Sequence, residues 1–278
     1  MIIWPATRFV AGETVEGAYE RLEELNDFGA RGMIDDLGEH VEDEEAAIEA
    51  RDTYLDILET IDARGLDGSI SVKPTHLGLE VDEELCQDNL EALAEKADEL
   101  DLFLWVDMES SQHTDETVEI YLDLLDVTDR VGVCIQCYLK RSDDDLDRII
   151  NEGGKVRLVK GAYDEPEEIA YESKKQVDIN YRKLMEKLFR QQARFAVATH
   201  DRELVERAKE LYEEHEPEDF EFQFLKGLRD DMKHDLVEEG YTVSEYIPYG
   251  DDWMAYYWRR VMERKENLFF AVKALVGR

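Results

Sequence analysis

The chain has 278 residues, enough for one α/β barrel of the usual size of about 250 residues or for two small domains. Acidic residues number 69 and basic residues 33, so the formal net charge is −36, which excludes nucleic acid as a partner. Hydrophobic residues make up 43% of the chain, which excludes global disorder and allows a substantial core.

The acidic residues are spread along the whole chain. Such a chain repels itself in dilute buffer, whereas at molar salt the Debye length falls to about 3 Å and the repulsion is screened. We therefore predict a halophilic protein from a salt-rich cytoplasm, with an acidic interaction surface as the alternative. The N-terminus has no basic segment followed by a long apolar one, and no run of 18 apolar residues occurs. A cytoplasmic location is expected.

Residues 1–30 precede the first predicted strand, and the pattern of residues 16–28 predicts one amphipathic helix. We expect this segment to pack on the following domain as an arm or as a plug beneath it. Residues 31–278 contain no Ser/Gly-rich or Pro-rich linker and are predicted to form a single domain.

Short β-branched or aromatic runs then recur, each followed by apolar residues three or four positions apart. The eight predicted strands are residues 32–35, 69–73, 102–107, 131–136, 156–160, 194–199, 220–224 and 241–246. Eight alternations of strand and helix favour a closed (β/α)8 TIM barrel over an open sheet. The absence of a GxGxxG turn also argues against a Rossmann fold.

Active sites of such barrels lie at the carboxyl ends of the strands. The residues that end the predicted strands are unusually polar: Lys73, Asp107, Gln136, Lys160, Thr199 with His200, and Tyr246. One such residue is ordinarily a solvated turn residue, but a ring of them is not required by a purely structural barrel. The three cysteines, Cys86, Cys134 and Cys137, complete no metal-binding pattern, so no metal site is expected.

Arg157 lies inside the fifth predicted strand between apolar neighbours. Its guanidinium must point into the lumen and meet an anion, because burial without one costs several kcal/mol. Asp107 is a candidate partner.

The segment from Tyr246 onward is the richest in aromatic and basic residues. A turn at residues 248–250 is predicted to open a final helix that carries Tyr256, Arg259, Arg260 and Glu263. Adjacent arginines beside aromatic rings suggest recognition of a small carboxylate. The alternative is an amphipathic helix whose arginines extend to solvent.

These motifs together resemble a known family, the proline dehydrogenases. The resemblance rests, in chain order, on Ser71-Val-Lys, Val106-Asp-Met-Glu, Ile135-Gln-Cys-Tyr-Leu-Lys-Arg, Arg157-Leu-Val-Lys-Gly-Ala-Tyr, Ala198-Thr-His-Asp, Phe220-Glu-Phe-Gln-Phe-Leu-Lys-Gly, Tyr246-Ile-Pro-Tyr-Gly and Arg259-Arg-x-x-Glu. It implies a monofunctional enzyme with non-covalent FAD that oxidises L-proline to Δ1-pyrroline-5-carboxylate and passes electrons to a quinone-type acceptor. A quinone would bring the protein to a membrane surface, and this point stays open.

The resemblance also implies roles for individual residues. Asp107 and Arg157 occupy catalytic positions, and Lys73, Arg259 and Arg260 hold the proline carboxylate. The rest of the implied substrate site is Tyr246, Tyr256 and Glu263, and the implied flavin contacts are Met108, Gln136, Arg157, Lys160, Gly161, Ala162, Thr199, His200 and Leu225.

Two other functions fit a barrel with these strand ends. Lys160 could form a Schiff base as in class I aldolases, or the barrel could bind a ligand without turnover. The sequence does not determine the oligomeric state or the preference between proline and hydroxyproline.

Overall fold

The apolar runs of the sequence form eight parallel strands that close into a barrel in the order β1 to β8. The structure is a computed structural model that describes residues 6–251, 253, 254 and 256. The strands are β1 (Arg31–Asp36), β2 (Gly68–Val72), β3 (Phe103–Val106), β4 (Val131–Gln136), β5 (Lys155–Val159), β6 (Arg194–Ala198), β7 (Phe220–Leu225) and β8 (Val243–Tyr249). The predicted (β/α)8 fold is confirmed.

The helices alternate with the strands. They are α1 (Val15–Phe28), α2 (Glu44–Arg64), α3 (Glu83–Glu99), α4 (Thr114–Leu124), α5 (Ser142–Asn151), α6 (Lys174–Arg190), α7 (Arg202–His215) and α8 (Asp230–Glu238). Four of them begin at a side chain that accepts a hydrogen bond from the first turn, and these caps are Asp43, Asp82, Ser173 and Asp201. Such caps satisfy backbone N–H groups that have no partner within the helix, so these boundaries are encoded locally.

The last strand differs from its prediction. It begins at Val243 and continues through Pro248 and Tyr249, so the turn predicted at residues 248–250 is wrong for its first two residues. The Pro248 carbonyl accepts from the amide of Ala11, and the Tyr249 carbonyl accepts from the amide of Leu37, both at 2.8 Å. These bonds keep the strand paired past the proline, and Tyr246 consequently lies inside β8 instead of at its end.

The first helix packs on the outer wall of the barrel. Leu22 lies where a side chain on Gly32 or Gly68 would point, so both glycines make room for it. Arg21 donates from Nε to Oε1 of Glu245 at 2.8 Å, and Glu245 on β8 is fully buried. The structure therefore contains the predicted helix and its contact with the barrel. The helix covers β1 and β8, the place that the helix following β8 occupies in a regular barrel. The boundary at residue 30 between an arm and a barrel domain remains a prediction.

Alternation along the strands separates an apolar outer layer from a polar lumen. Outward side chains such as Ile34, Ile70 and Phe222 join the helices in the main core. Inside the barrel, Ser244 donates to Oε2 of Glu221 at 2.6 Å, and Lys155 lies 3.4 Å from the other carboxylate oxygen. A lumen with this polarity is organised around ion pairs. In the part of the chain described here, no helix combines the length and apolarity needed to cross a bilayer.

The net charge of −36 leads to a prediction about salt. Raising KCl from about 0.1 M to 2 M should raise the melting temperature by several degrees, because the repulsion among carboxylates is screened. Each kcal/mol gained in the free energy of unfolding raises the melting temperature of a chain of this size by about 2–4 °C. Differential scanning fluorimetry measures this shift, with sucrose as a non-ionic control that does not screen charge. A melting temperature that stays constant across this range would contradict adaptation to high salt.

Candidate active site

Arg157 and Asp107 form the centre of the polar cluster at the barrel mouth. Arg157 Nη1 donates to Oδ1 of Asp107 at 2.6 Å, and both Nη atoms lie 3.1 Å from the hydroxyl of Ser71. Nη2 also lies 3.3 Å from the sulfur of Met33. The guanidinium carbon is 4.7 Å from the ring centroid of Trp105, within cation–π range. The anion partner expected for this buried arginine is therefore Asp107.

Lys73 and Tyr246 extend the cluster towards β1. The Lys73 ammonium donates to Oδ1 of Asp35 at 2.7 Å and lies 3.4 Å from the hydroxyl of Tyr246. Tyr246 in turn donates to Oδ2 of Asp107 at 2.9 Å. The side chains of Asp35 and Lys73 are 0% and 8% exposed, so both charges of this pair are removed from water. One continuous network thus joins residues on β1, β5 and β8 with Lys73, directly after β2, and Asp107, directly after β3.

The charges in this network shift one another's pKa values. Burial raises the pKa of Asp35 to about 7, although the nearby Lys73 ammonium opposes that shift. Burial alone would lower the pKa of Lys73, but Asp35 and then Asp107 outweigh it, so the pKa of Lys73 lies above its ordinary value. The pKa of Tyr246 is raised chiefly by burial and further by Asp107 and Asp35. Lys73 is therefore a cation and Tyr246 a neutral phenol at neutral pH.

The loop after β3 fixes the turn that follows Lys73. The buried Glu109 accepts from the amide of Thr75 at 2.9 Å and from its hydroxyl at 2.7 Å. Burial raises the pKa of Glu109, and the Thr75 hydrogen bonds work in the opposite direction. Lys73 lies two residues before Thr75, and Asp107 lies two residues before Glu109. The contact between Thr75 and Glu109 therefore sets the separation of Lys73 and Asp107.

A second group of predicted residues lies across the ends of β4, β6 and β7. Gln136 donates from Nε2 to the carbonyl of Met108 at 3.0 Å. The amide of Leu225 donates to Nε2 of His200 at 3.0 Å, which makes His200 an acceptor at that nitrogen. Thr199 is buried next to it. β4 and β6 are the two neighbours of β5, the strand that carries Arg157, so these residues lie at strand ends on both sides of it.

Several buried polar atoms at the mouth have no hydrogen-bond partner within the described residues. They are Gln136 Oε1, Gln223 Oε1, Arg157 Nε and Asp35 Oδ2. Buried polar atoms are ordinarily paired, so a group of exceptions in one place indicates a polar ligand. Two of the four belong to residues predicted as flavin contacts.

Lys160 is placed differently from the other predicted contacts. Its ammonium lies 2.6 Å from Asp178 on α6 and 3.1 Å from Asp201 before α7. The next residue, Gly161, has φ of 112°, and a Cβ there would lie 2.1 Å from the ring of Tyr138. Only glycine fits this position, so the β5 loop can run close to the rim, with the exposed Ala162 following it.

The structure brings Lys73, Asp107, Arg157 and Tyr246 together as predicted neighbours. Tyr256 is buried in a separate cluster with Phe9, Val10 and Leu37. Arg259, Arg260 and Glu263 lie outside the described residues, so their predicted roles stay predictions.

Sequence reasoning missed three members of the network. Asp35 ends the first predicted strand and could have been found by the same strand-end rule that found Lys73. Ser71 and Met33 alternate with Lys73 and Asp35 on their strands; Ser71 belongs to the Ser71-Val-Lys motif, and Met33 carries no other signal in the sequence.

Comparisons with known proteins give the family of this chain. A family model described as proline dehydrogenase matches residues 18–272. Proline dehydrogenase 1 of Bacillus subtilis subsp. natto is 35% identical over 273 residues, which are 98% of this chain and 90% of that protein. The proline dehydrogenase of Deinococcus radiodurans is 35% identical over 278 residues, which again cover 98% of this chain and 90% of that protein.

Solved structures with the same fold include proline utilization A (PutA) from Bdellovibrio bacteriovorus inactivated by N-propargylglycine. Its TM-score is 0.86 at 24% identity, and the match covers 93% of this chain and 32% of that one. A PutA variant from Bradyrhizobium japonicum gives a TM-score of 0.80 at 26% identity, with shares of 92% and 30%. The chain thus spans about a third of each PutA chain and nine tenths of the curated relatives. It belongs to the proline dehydrogenase family.

Proposed function

We propose that this protein oxidises L-proline to Δ1-pyrroline-5-carboxylate with bound FAD, the first step of proline degradation to glutamate, and passes the electrons to a quinone-type acceptor. The observation that carries the proposal is the buried network of Lys73, Asp35, Asp107, Arg157 and Tyr246 at the barrel mouth. Membership of the proline dehydrogenase family supports it.

The substrate site requires a cation for the carboxylate of proline. Lys73 is buried and protonated, and its ammonium faces the mouth network, so it can hold a carboxylate at little further cost of desolvation. Arg259 and Arg260 are proposed to complete the clamp, with Glu263 bracing them. Tyr246 and Tyr256 are proposed to cover the apolar ring of proline.

FAD fits the chemistry of the residues beside the network. An isoalloxazine ring has one N–H donor at N3 and several acceptors, at N1, O2, O4 and N5. Gln136 Oε1 is a buried acceptor and Arg157 Nε a buried donor, and each is unpaired within the region that the structure describes. The proposed contacts are Met108, Gln136, Arg157, Lys160, Gly161, Ala162, Thr199, His200 and Leu225.

When bound, FAD supplies a two-electron acceptor for the hydride that leaves the ring carbon next to the proline nitrogen. The residues of the chain provide positioning and charge. Lys73 fixes the carboxylate and thereby the orientation of the substrate. Such positioning accelerates a reaction most when it holds the reacting atoms close together and aligned. Arg157, held by Asp107 and Ser71, stabilises negative charge that develops beside the ring.

The aldolase alternative is disfavoured by the position of Lys160. A Schiff-base lysine must present a free amine to the lumen, whereas Lys160 is bound by two carboxylates at the start of α6 and α7. Binding of a ligand without turnover remains as the other alternative, and it predicts no electron transfer.

Anaerobic addition of L-proline to the purified holoenzyme at high salt tests the function. The visible flavin absorbance should bleach, and a dye acceptor such as dichlorophenolindophenol should then be reduced with multiple turnovers. D-proline serves as a control of the same charge and size. A colourless protein, or flavin that stays oxidised with L-proline, would contradict the proposal, and borohydride trapping of Lys160 with a carbonyl compound would favour the aldolase.

A further inference from the structure

Asp35 is a buried carboxylate that the proposed chemistry has not yet used. It is the second-last residue of β1, has no exposed surface, and accepts a hydrogen bond from Lys73 on Oδ1 at 2.7 Å. Its second oxygen, Oδ2, accepts no hydrogen bond from any residue that the structure describes. A buried anion with an unoccupied oxygen is costly unless that oxygen has a use.

Several titratable side chains surround Asp35 and interact with its charge. Lys73 follows β2, Asp107 follows β3 and Tyr246 lies on β8, and all three influence its titration. Tyr54 on α2 and Tyr249 on β8 lie behind it, and the charge of Asp35 contributes to raising the pKa of each, after the larger effect of burial. Lys73 is the cation that donates to Asp35, and its ammonium also faces the mouth network, so it offers a route by which a proton can reach Asp35.

The oxidation of proline requires a proton acceptor before the hydride leaves. Free proline at neutral pH carries an ammonium group, and its nitrogen must supply a lone pair to form the C=N bond. Lys73 is already protonated and cannot keep a further proton. It can take one from the substrate nitrogen only if it passes one of its own to Asp35.

We propose that Asp35 is the acceptor of the amine proton of proline, reached through Lys73. This inference rests on the proposed function. One N–H bond of the substrate breaks as a new N–H bond forms on Lys73, and one N–H bond of Lys73 breaks as an O–H bond forms on Asp35 Oδ1, the oxygen that Lys73 contacts. The net charge of Lys73 is unchanged. The nitrogen lone pair is then available to form the C=N bond, and FAD, when bound, would accept the hydride from the C–H bond next to nitrogen.

The charge balance of the site supports this order of events. Before transfer, Lys73 is shared between Asp35 and the incoming carboxylate. After transfer, Asp35 is neutral and the whole positive charge of Lys73 faces the proline carboxylate, which is favourable in a site of low dielectric. In an α-amino acid the amine lies only three bonds from a carboxylate oxygen, so the lysine that binds one can reach the other.

Asp35→Asn tests the inference, because asparagine keeps the shape but accepts no proton. The kcat/KM of wild-type enzyme for proline should be constant at alkaline pH and fall as pH drops below about 7, where Asp35 becomes protonated. At pH 7 the D35N variant should be slower by about 10²-fold or more. Its rate should then rise about tenfold per pH unit, because only proline that is already deprotonated reacts. Asp36→Asn is the control, since this neighbour on β1 points to the other face of the strand.

A second measurement separates proton transfer from mere support of Lys73. Cyclopentanecarboxylate has the carboxylate but no amine, and its binding can be followed by the change in flavin absorbance. D35N should bind it at least as tightly as wild type. A loss of this binding by the same factor as kcat/KM, or a pH profile parallel to that of wild type, would overturn the inference.

If D35N fails to retain flavin, Asp35→Glu decides the question. Its longer carboxylate still accepts a proton, so the flat alkaline region should persist even at a lower rate. A tenfold rise per pH unit in D35E would refute proton transfer to this position. Wild-type flavin that proline leaves oxidised would instead refute the proposed function, so the two failures are distinguishable.

Discussion

Replacing Arg157 with methionine is expected to lower kcat/KM for proline by about 10³-fold or more. The substitution removes the guanidinium that donates to Oδ1 of Asp107 at 2.6 Å and leaves the hydroxyl of Ser71 as the remaining described donor to that oxygen. It also removes positive charge at the place where the flavin would gain electrons, and one such group is worth about 10²–10³ in rate. The measurement is the rate of flavin reduction by proline in anaerobic stopped-flow, normalised to flavin content.

Arg157→Lys is the matched comparison. It keeps a positive charge but loses the fork that contacts Asp107, Ser71 and Met33 together, so an intermediate rate is expected. Equal rates for R157K and R157M would mean that geometry, and not charge, is the contribution of this residue. Normal reduction rates in R157M would remove Arg157 from the catalytic site altogether.

Replacing Lys73 with methionine should have two large effects. Affinity for the proline carboxylate should fall by about 10²-fold, because the buried cation is lost. The free energy of unfolding should also fall by about 3–5 kcal/mol, since Asp35 is left buried with no cation beside it and must either stay charged there or take up a proton. Denaturant unfolding at high salt and titration with cyclopentanecarboxylate measure the two effects separately.

The double variant K73M/D35N distinguishes these effects. Stability should return almost to the wild-type value, because no uncompensated charge remains, but carboxylate binding should stay weak. Lys96→Met provides the surface control: Lys96 pairs with the exposed Glu59 and Glu99, and losing these pairs should change the stability far less than K73M does. If K73M were as stable as wild type, the ion pair with Asp35 would not be the structural element described here.

The position of α1 explains why the barrel mouth is available for this chemistry. α1 covers the outer wall at β1 and β8, and Arg21 and Lys233 neutralise the buried Glu245 there. The described residues after β8 reach the mouth loops, where Trp253 and Tyr256 pack with Phe9 and Leu37. Residues on both sides of the eight strands therefore meet near the mouth.

Much of this protein is determined by its sequence alone. The twofold alternation of the strands and the three-to-four spacing of the helices predicted eight β/α units, and the strand-end rule found Lys73, Asp107 and Gln136. These features are local, because each depends on residues within one strand or helix and on which face of it they occupy. The motifs added the family, and with it the chemistry.

Only the tertiary structure decided the partners. Lys73 meets Asp35 across 38 positions in the chain, and Arg157 meets Asp107 across 50. Local patterns show that such side chains face the lumen, but which of them touch depends on the register of neighbouring strands after the barrel closes. The same closure keeps β8 paired through Pro248 and places α1 over β1 and β8. Those are contacts between distant segments, which no short stretch of sequence contains.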